Sequence, residues 1–104
     1  MILTVQTAVR GTYRLGISLY DSVNIFNEVR GANVNLIIEG QNYNLRTTCG
    51  PPLRQGFDLY SKMLSNWIIN NGYNNYAFKN PTKLNFDYIL DGNTHVITFV
   101  GVAL

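Results

Sequence analysis

Three pairs of short segments in which apolar and polar residues alternate place the strongest constraint on the fold of this chain. The members of each pair are separated by a sequence that favours a tight turn: 10–12, Gly40-Gln41 and Asp91-Gly92. Alternation is typical of a strand with one buried face, and a turn of two or three residues joins antiparallel neighbours. The sequence therefore predicts six strands that form three β-hairpins.

The turns also predict the register of each hairpin, that is, which residues face each other across the two strands. A three-residue loop at 10–12 keeps the apolar residues of the first hairpin on one face, whereas a two-residue loop would move one set to the other face. Gly40-Gln41 suits a type II′ turn, because glycine comes first, and Asp91-Gly92 suits a type I′ turn. The pairs expected are Val5 with Ile17, Leu36 with Leu45, and Tyr88 with His95. We expect the third hairpin to lie in the middle of the fold.

Two segments between the hairpins have the apolar spacing of helices. A long helix is predicted over 57–71, and Gly72 is expected to end it. A shorter helix is predicted over 22–30 with Asp21 as its N-cap; an extended segment is the alternative, because this stretch contains several β-branched residues. The residues expected to face inward are Val23, Phe26 and Val29 in the short helix and Tyr60, Met63, Leu64, Trp67 and Ile68 in the long helix.

The resulting order of elements, ββ-α-ββ-α-ββ, predicts an α+β fold. We expect a curved, mostly antiparallel sheet or a small open barrel of about six strands, with one main amphipathic helix packed on it. A chain of 104 residues has the size of one domain. Residues 1–104 are therefore expected to form a single domain.

The composition excludes several classes of protein. Hydrophobic residues make up 46% of the chain and charged residues 13%, which is not the composition of a disordered protein. One cysteine cannot form an internal disulfide bond or a metal site with several thiolates, and we expect neither a metal nor another cofactor. The first residues do not resemble a signal peptide, and the apolar stretch 96–104 is shorter than the roughly 20 residues that span a bilayer. These features predict a soluble protein of the cytoplasm, or a virion component, with no membrane partner.

The net charge of +2 is far below that of a strongly basic nucleic-acid binder. Binding of an anion would therefore depend on a local cluster of cations. Arg10, Arg14, Arg30 and Arg46 would form such a cluster if their strands lie side by side. The alternative is that these residues are scattered charges that keep the surface soluble.

The segment 49–56 is the sharpest interruption of the strand and helix patterns, with two glycines, two prolines and an arginine before the predicted long helix. Free backbone N–H groups and the positive end of a helix dipole favour anions. We therefore expect the side chain of Arg54 and the backbone of Gln55, Gly56 and Phe57 to bind a phosphate or carboxylate group. The alternative is a plain connection with a solvated Arg54, and Asp58 in the first predicted helical turn argues for that alternative.

A second irregular segment, 70–83, combines aromatic, asparagine and lysine residues. Tyr73 and Tyr76 offer rings that stack on bases, and Lys79 and Lys83 offer charges for phosphates. These four residues complete the predicted ligand site. The alternative is that the aromatic residues fold back over the core and the asparagines serve as turn residues.

Catalysis has little support in the sequence. His95 is the only histidine, and we expect its ring to lie at the edge of the core, bonded to a tyrosine or to the backbone. A nucleophilic Cys49 with His95 as its base is the alternative, because such groups need only meet in space. No spacing of His, Asp and Glu matches a metal site.

These patterns predict a non-catalytic binding module for a phosphate-bearing ligand, either a short nucleic-acid segment or a nucleotide. The alternative is a small protein-binding inhibitor or assembly protein, for example a viral or accessory factor, with a homodimer as one possible form. The third possibility is a minimal hydrolase that uses Cys49 and His95.

Overall fold

Three β-hairpins and one very short strand form a single mixed sheet. The computed structural model describes residues 1–48, 56–77 and 79–103. The strands and helices in chain order are β1 (Ile2–Thr7), β2 (Tyr13–Ile17), α1 (Leu19–Asn24), β3 (Asn33–Ile38), β4 (Gln41–Arg46), β5 (Asp58–Leu59), α2 (Lys62–Asn70), β6 (Lys83–Asp91) and β7 (Thr94–Val102).

The sheet curves until its two outer strands nearly meet. Its order is β4-β3-β7-β6-β1-β2-β5, and every pair is antiparallel except β3 with β7. Beyond β4, Thr48 and Asp58 exchange two backbone hydrogen bonds of 2.9 and 2.7 Å, which link the two edges. The predicted α+β fold with an open barrel is thus confirmed in outline, with the third hairpin, β6–β7, in the middle. The strand count was wrong, because β5 was not expected.

Inward-facing apolar side chains fill the barrel. Buried residues alternate with more exposed ones along β1, β2, β3, β6 and β7. The helix α2 adds the buried side chains of Leu64, Trp67 and Ile68 from one side. An aromatic group holds this helix against the sheet, since Trp67 contacts Phe99 edge-on with ring centroids 5.0 Å apart. The buried apolar strand residues are Leu3, Val5, Leu15, Ile17, Val34, Leu36, Ile38, Leu59, Leu84, Phe86 and Ile97.

All three predicted registers were wrong by two residues. The observed pairs are Val5 with Leu15, Leu36 with Tyr43, and Tyr88 with Ile97. Because side chains alternate with a period of two, a shift of two residues leaves every side chain on its predicted face. The predicted buried faces are therefore confirmed although the partners differ.

The turns explain these shifts. In the first hairpin the N–H group of Ala8 donates to the carbonyl of Thr12 (2.9 Å) and the N–H group of Thr12 donates to the carbonyl of Val9 (3.0 Å), so the loop is 9–11, one residue earlier than predicted. The second hairpin turns at Glu39 and Gly40, both with positive φ, as a type I′ turn requires. The third turns one residue later than expected and has Gly92, at φ 60, as its first central residue, as in type II′.

The long helix begins later than predicted. The hydroxyl group of Ser61 accepts a hydrogen bond from the backbone N–H of Leu64 (3.0 Å), and α2 therefore starts at Lys62. Tyr60 and Met63 are exposed, contrary to the predicted inward stripe. The end of the helix is confirmed, because Gly72 follows it with φ 72.

The short helix also differs from its prediction. Ser18 rather than Asp21 caps α1, and the helix ends at Asn24. Phe26 is buried as expected, while Val23 and Val29 are exposed. Asn27 and Glu28 adopt positive φ values, so the chain leaves the helix before the predicted end at residue 30.

The residues before β5 lie against α1 and β2. The N–H group of Phe57 donates to the buried hydroxyl of Ser22 (2.9 Å), and the N–H group of Ile17 donates to the carbonyl of Phe57 (2.8 Å). Gly56 approaches this backbone so closely that a Cβ atom would overlap the carbonyl oxygen of Ile17. Only glycine fits this position without moving the main chain.

Gly56→Ala is therefore expected to lower the free energy of unfolding by about 3 kcal/mol, since the overlap is with backbone rather than with a flexible side chain. Gly101→Ala is the matched control, because no atom lies within 4 Å of the Cβ position there. Urea unfolding measures both changes. Equal midpoints for the two variants would contradict the close approach at Gly56.

Candidate functional site

Two of the predicted ligand residues line the same cleft. This cleft, which we call the Lys83 cleft, has a volume of about 920 Å³. Lys83 pairs with Thr4 of the neighbouring strand at one wall, and Tyr76 and Asn80 come from the segment between α2 and β6. Asp21, at the start of α1, contributes a carboxylate group to the same cleft.

The charges in the Lys83 cleft define what it can bind. Among the described residues that line it are one lysine and one aspartate, whose charges cancel. An anionic group near Lys83 gains a charge-assisted hydrogen bond, and a ligand donor can reach Asp21. The half-buried ring of Tyr76 packs against the core and adds an apolar surface to the cleft. This set of groups suits a small ligand with a phosphate, polar hydrogens and a planar ring.

The other two residues of the aromatic segment lie elsewhere. Tyr73 packs edge-on against Trp67 with centroids 5.3 Å apart and also contacts the ring of Phe99. Its position matches the alternative interpretation, in which aromatic residues cover the core. Lys79 is exposed in a turn with φ 65, outside the residues that line the Lys83 cleft.

The predicted anion site at 54–57 required a helix that begins at Phe57, and α2 begins at Lys62. Arg54 and Gln55 lie outside the described residues. Gly56 and Phe57 precede β5 rather than α2, and the N–H group of Phe57 already donates to Ser22. The first turn of α2 lies several residues further along, with Ser61 as its cap, so no helix N-terminus begins at Phe57.

A second cleft, the Arg10 cleft, lies where the β1–β2 connection approaches β5. It has a volume of about 690 Å³ and is lined by residues that include Thr12, Thr48 and Tyr60. Arg10 and Arg14 supply its positive charge, whereas Arg30 and Arg46 do not line it. Two of the four arginines considered from the sequence thus share one cleft. The spacing of the two arginines around Gly11 is the signal that the sequence contains, whereas the helical spacing around Tyr60 predicts a core position for that residue.

The two arginines of this cleft differ in their partners. Arg14 pairs with Asp58 (Nη1–Oδ2 3.6 Å) and donates from Nε to the amide oxygen of Gln6 (3.3 Å). Burial raises the pKa of the Asp58 carboxyl, and the Arg14 guanidinium acts in the opposite direction. Arg10 is exposed and has no hydrogen bond or ion pair with another residue in 1–48, 56–77 or 79–103. Arg10 is therefore the cation that a ligand would meet in this cleft.

His95 is held at the edge of the core, as expected. Its Nδ1 atom lies 2.6 Å from the hydroxyl oxygen of Tyr88, and its ring packs on Phe26 with centroids 4.2 Å apart. Burial lowers the pKa of His95 below its ordinary value. Cys49 lies outside the described residues, so its proposed pairing with His95 stays a prediction.

Within the described parts of the chain, no group of three or more His, Cys, Asp or Glu side chains could hold a metal ion. Neither α1 nor α2 is long and apolar enough to cross a bilayer. Comparisons with models of protein families, with curated proteins and with solved structures gave no significant match.

His95→Gln is expected to weaken the dependence of stability on pH. Because the pKa of His95 is lowered in the folded protein, the unfolded chain binds the proton more readily, and the free energy of unfolding falls as the pH falls through and below about 6.5. The variant should lose less stability than the wild type between about pH 8 and about pH 5. Urea unfolding at a series of pH values measures this difference. Parallel curves for the two proteins would contradict it.

Proposed function

We propose that this protein is a non-catalytic binding module for a phosphate-bearing ligand, a nucleotide or a short nucleic-acid segment, and that the Lys83 cleft receives the ligand. The observation that carries the proposal is that Tyr76 and Lys83 line one concave site. Their residue types are those that bind an aromatic base and a phosphate group. Arg54, Gln55 and Lys79 stay candidates for additional contacts.

The orientation of the ligand follows from the arrangement of the charges. The phosphate group lies beside Lys83, where the ammonium group donates to its oxygens. The base lies against the ring of Tyr76. Asp21 accepts a hydrogen bond from a ribose hydroxyl or an amino group, and it repels a second phosphate. The cleft should therefore prefer a monophosphate to a ligand with several adjacent phosphates.

Substitutions at the two charged residues should change affinity in opposite directions. Lys83→Gln is expected to weaken binding of a fluorescent adenosine monophosphate about tenfold, because it removes a charge-assisted hydrogen bond. Asp21→Asn should strengthen binding of the corresponding triphosphate a few-fold, since it removes the charge that repels additional phosphates and keeps an oxygen that accepts a hydrogen bond. Fluorescence anisotropy at low salt measures both.

Lys62→Gln is the matched control, because Lys62 is an exposed lysine at the start of α2 and does not line the Lys83 cleft. It should leave the affinity unchanged. Absence of binding by the wild type, or equal losses in Lys83→Gln and Lys62→Gln, would overturn the proposal.

A second candidate function, self-assembly, is favoured by the outer face of the sheet. Asn44, Asn35, Val96 and Ile89 form a row of uncharged side chains across four adjacent strands. Ile89 is 62% exposed, whereas Asn35 and Val96 are half-buried. An identical row from a second copy would cover the apolar side chains without bringing like charges together.

Light scattering tests this second candidate. The assembly role predicts a dimer that Ile89→Lys converts to a monomer, because the lysine places two like charges in the interface. Leu19→Lys, another exposed apolar position but on α1, should leave the dimer intact. A monomer at every concentration of the wild type would contradict homodimerisation.

A further inference from the structure

The Lys83 cleft and the Arg10 cleft open on the same outer face of the barrel. Leu3 and Val5 of β1 point inward and are buried. Thr4, which lies between them, and Gln6, which follows Val5, therefore point outward. Thr4 pairs with Lys83 on one side, and Gln6 pairs with Arg14 on the other. The register of three strands therefore places Lys83 of one cleft and Arg14 of the other on one surface, and Arg10 lines the second cleft from the β1–β2 connection.

The side chain of Gln6 lies on the surface between the two clefts. Gly16, opposite Thr4, has no side chain, and the amide group of Gln6 lies over the position that a Cβ atom would occupy. The Gln6 amide is fixed there by its hydrogen bond from Arg14. The flat Gln6 amide, which covers the buried Gly16, therefore forms the surface between the two clefts.

The separation of the cations exceeds the size of one phosphate group. Lys83 and Arg14 are two strands and two residues apart, so their Cα atoms lie roughly 12 Å from each other. A stacked single strand advances about 3.4 Å for each nucleotide. Measured to Arg14, the strand residue that lines the Arg10 cleft, the two clefts are therefore roughly three or four nucleotides apart.

Each cleft also has its own aromatic ring. Tyr76 lines the Lys83 cleft, and Tyr60, 44% exposed, lines the Arg10 cleft. Asp58 is already paired with Arg14, so Arg10 and Lys83 are the cations available to a ligand at the two ends. Stacking needs bases whose faces are open, as in a single strand, whereas a duplex hides them.

We propose that the two clefts form one track for single-stranded nucleic acid, which we call the Lys83–Arg10 track. One phosphate group lies at Lys83 and another at Arg10, and bases stack on Tyr76 and Tyr60. The Gln6 amide meets the edge of a base between them. This inference rests on the proposed function, because the same Lys83 cleft supplies one end of the track.

The test compares ligands of different length in fluorescence anisotropy. A labelled oligonucleotide of about eight nucleotides should bind at least tenfold more tightly than labelled adenosine monophosphate, because it reaches both clefts. Arg10→Gln should weaken binding of the oligonucleotide several-fold and leave binding of the mononucleotide unchanged. Lys83→Gln should weaken both. Arg30→Gln, an exposed arginine that lines neither cleft, is the matched control and should change neither.

Salt dependence gives a second measurement. Each phosphate contact to a single strand contributes a slope of about −0.7 in log K against log salt, so Arg10→Gln should reduce the oligonucleotide slope by about that amount. The same measurement with single-stranded DNA, single-stranded RNA and a duplex of the same sequence shows which nucleic acid the track binds. The duplex should bind more weakly than either single strand.

The outcomes separate the two proposals. If the mononucleotide binds through Lys83 but the oligonucleotide binds no more tightly, or is unaffected by Arg10→Gln, the track is wrong and the proposed function stands. If neither ligand binds the wild type, both proposals are wrong. Tighter binding of the duplex than of the single strand would also overturn the track.

Discussion

The pair of backbone hydrogen bonds made by Phe57 is the constraint on which the barrel depends. One buried hydroxyl, that of Ser22, accepts the N–H group of Phe57, and the carbonyl of the same residue accepts the N–H group of Ile17. Both bonds lie in the interior, where an unpaired backbone group would cost about 1–3 kcal/mol. They align β5 with β2 and bring Asp58 next to Thr48. Without this alignment, the two edges of the sheet would remain apart.

The same constraint builds the second cleft. Asp58 follows Phe57 directly, and its carboxylate holds the Arg14 guanidinium on the outer face. Tyr60, two residues further, is turned outward because the helix begins only after Ser61. Since apolar side chains fill the inside of the barrel, polar ligands are restricted to its outside. Closure of the barrel and the formation of a binding surface thus depend on the same four-residue segment, 57–60.

The sequence was sufficient to predict which residues are buried in the hairpins, but not the partners of those residues. Leu3, Val5 and Leu36 are inward in every register that differs by an even number of residues, so alternation alone determines their burial. The partners depend on the geometry of the turns. The residue types of Thr12 and Glu39 do not predict the turns in which these residues lie. Two residues of β5 are too few to give a periodic signal.

The candidate site was predictable to the same degree. Tyr76 and Lys83 could be selected because their residue types suit a phosphate ligand, and they lie within eight residues of each other in the chain. The grouping of Arg10 with Tyr60 could not be predicted, because 50 residues separate them in the chain and only the position of β5 brings them together. Tyr73 has the same residue type as Tyr76 but packs on Trp67, since it follows directly on the helix end.

The position of the β6–β7 hairpin at the centre of the sheet implies an order of folding. It pairs with β3 on one side, where Asn33 meets Thr94, and with β1 on the other, where Leu3 meets Leu84. Closing these long loops costs entropy before the new contacts compensate for it. A preformed central hairpin gives both outer hairpins an edge on which to add. Refolding should therefore slow when β6–β7 is weakened, whereas changes near β5 should mainly accelerate unfolding, and stopped-flow kinetics would separate the two.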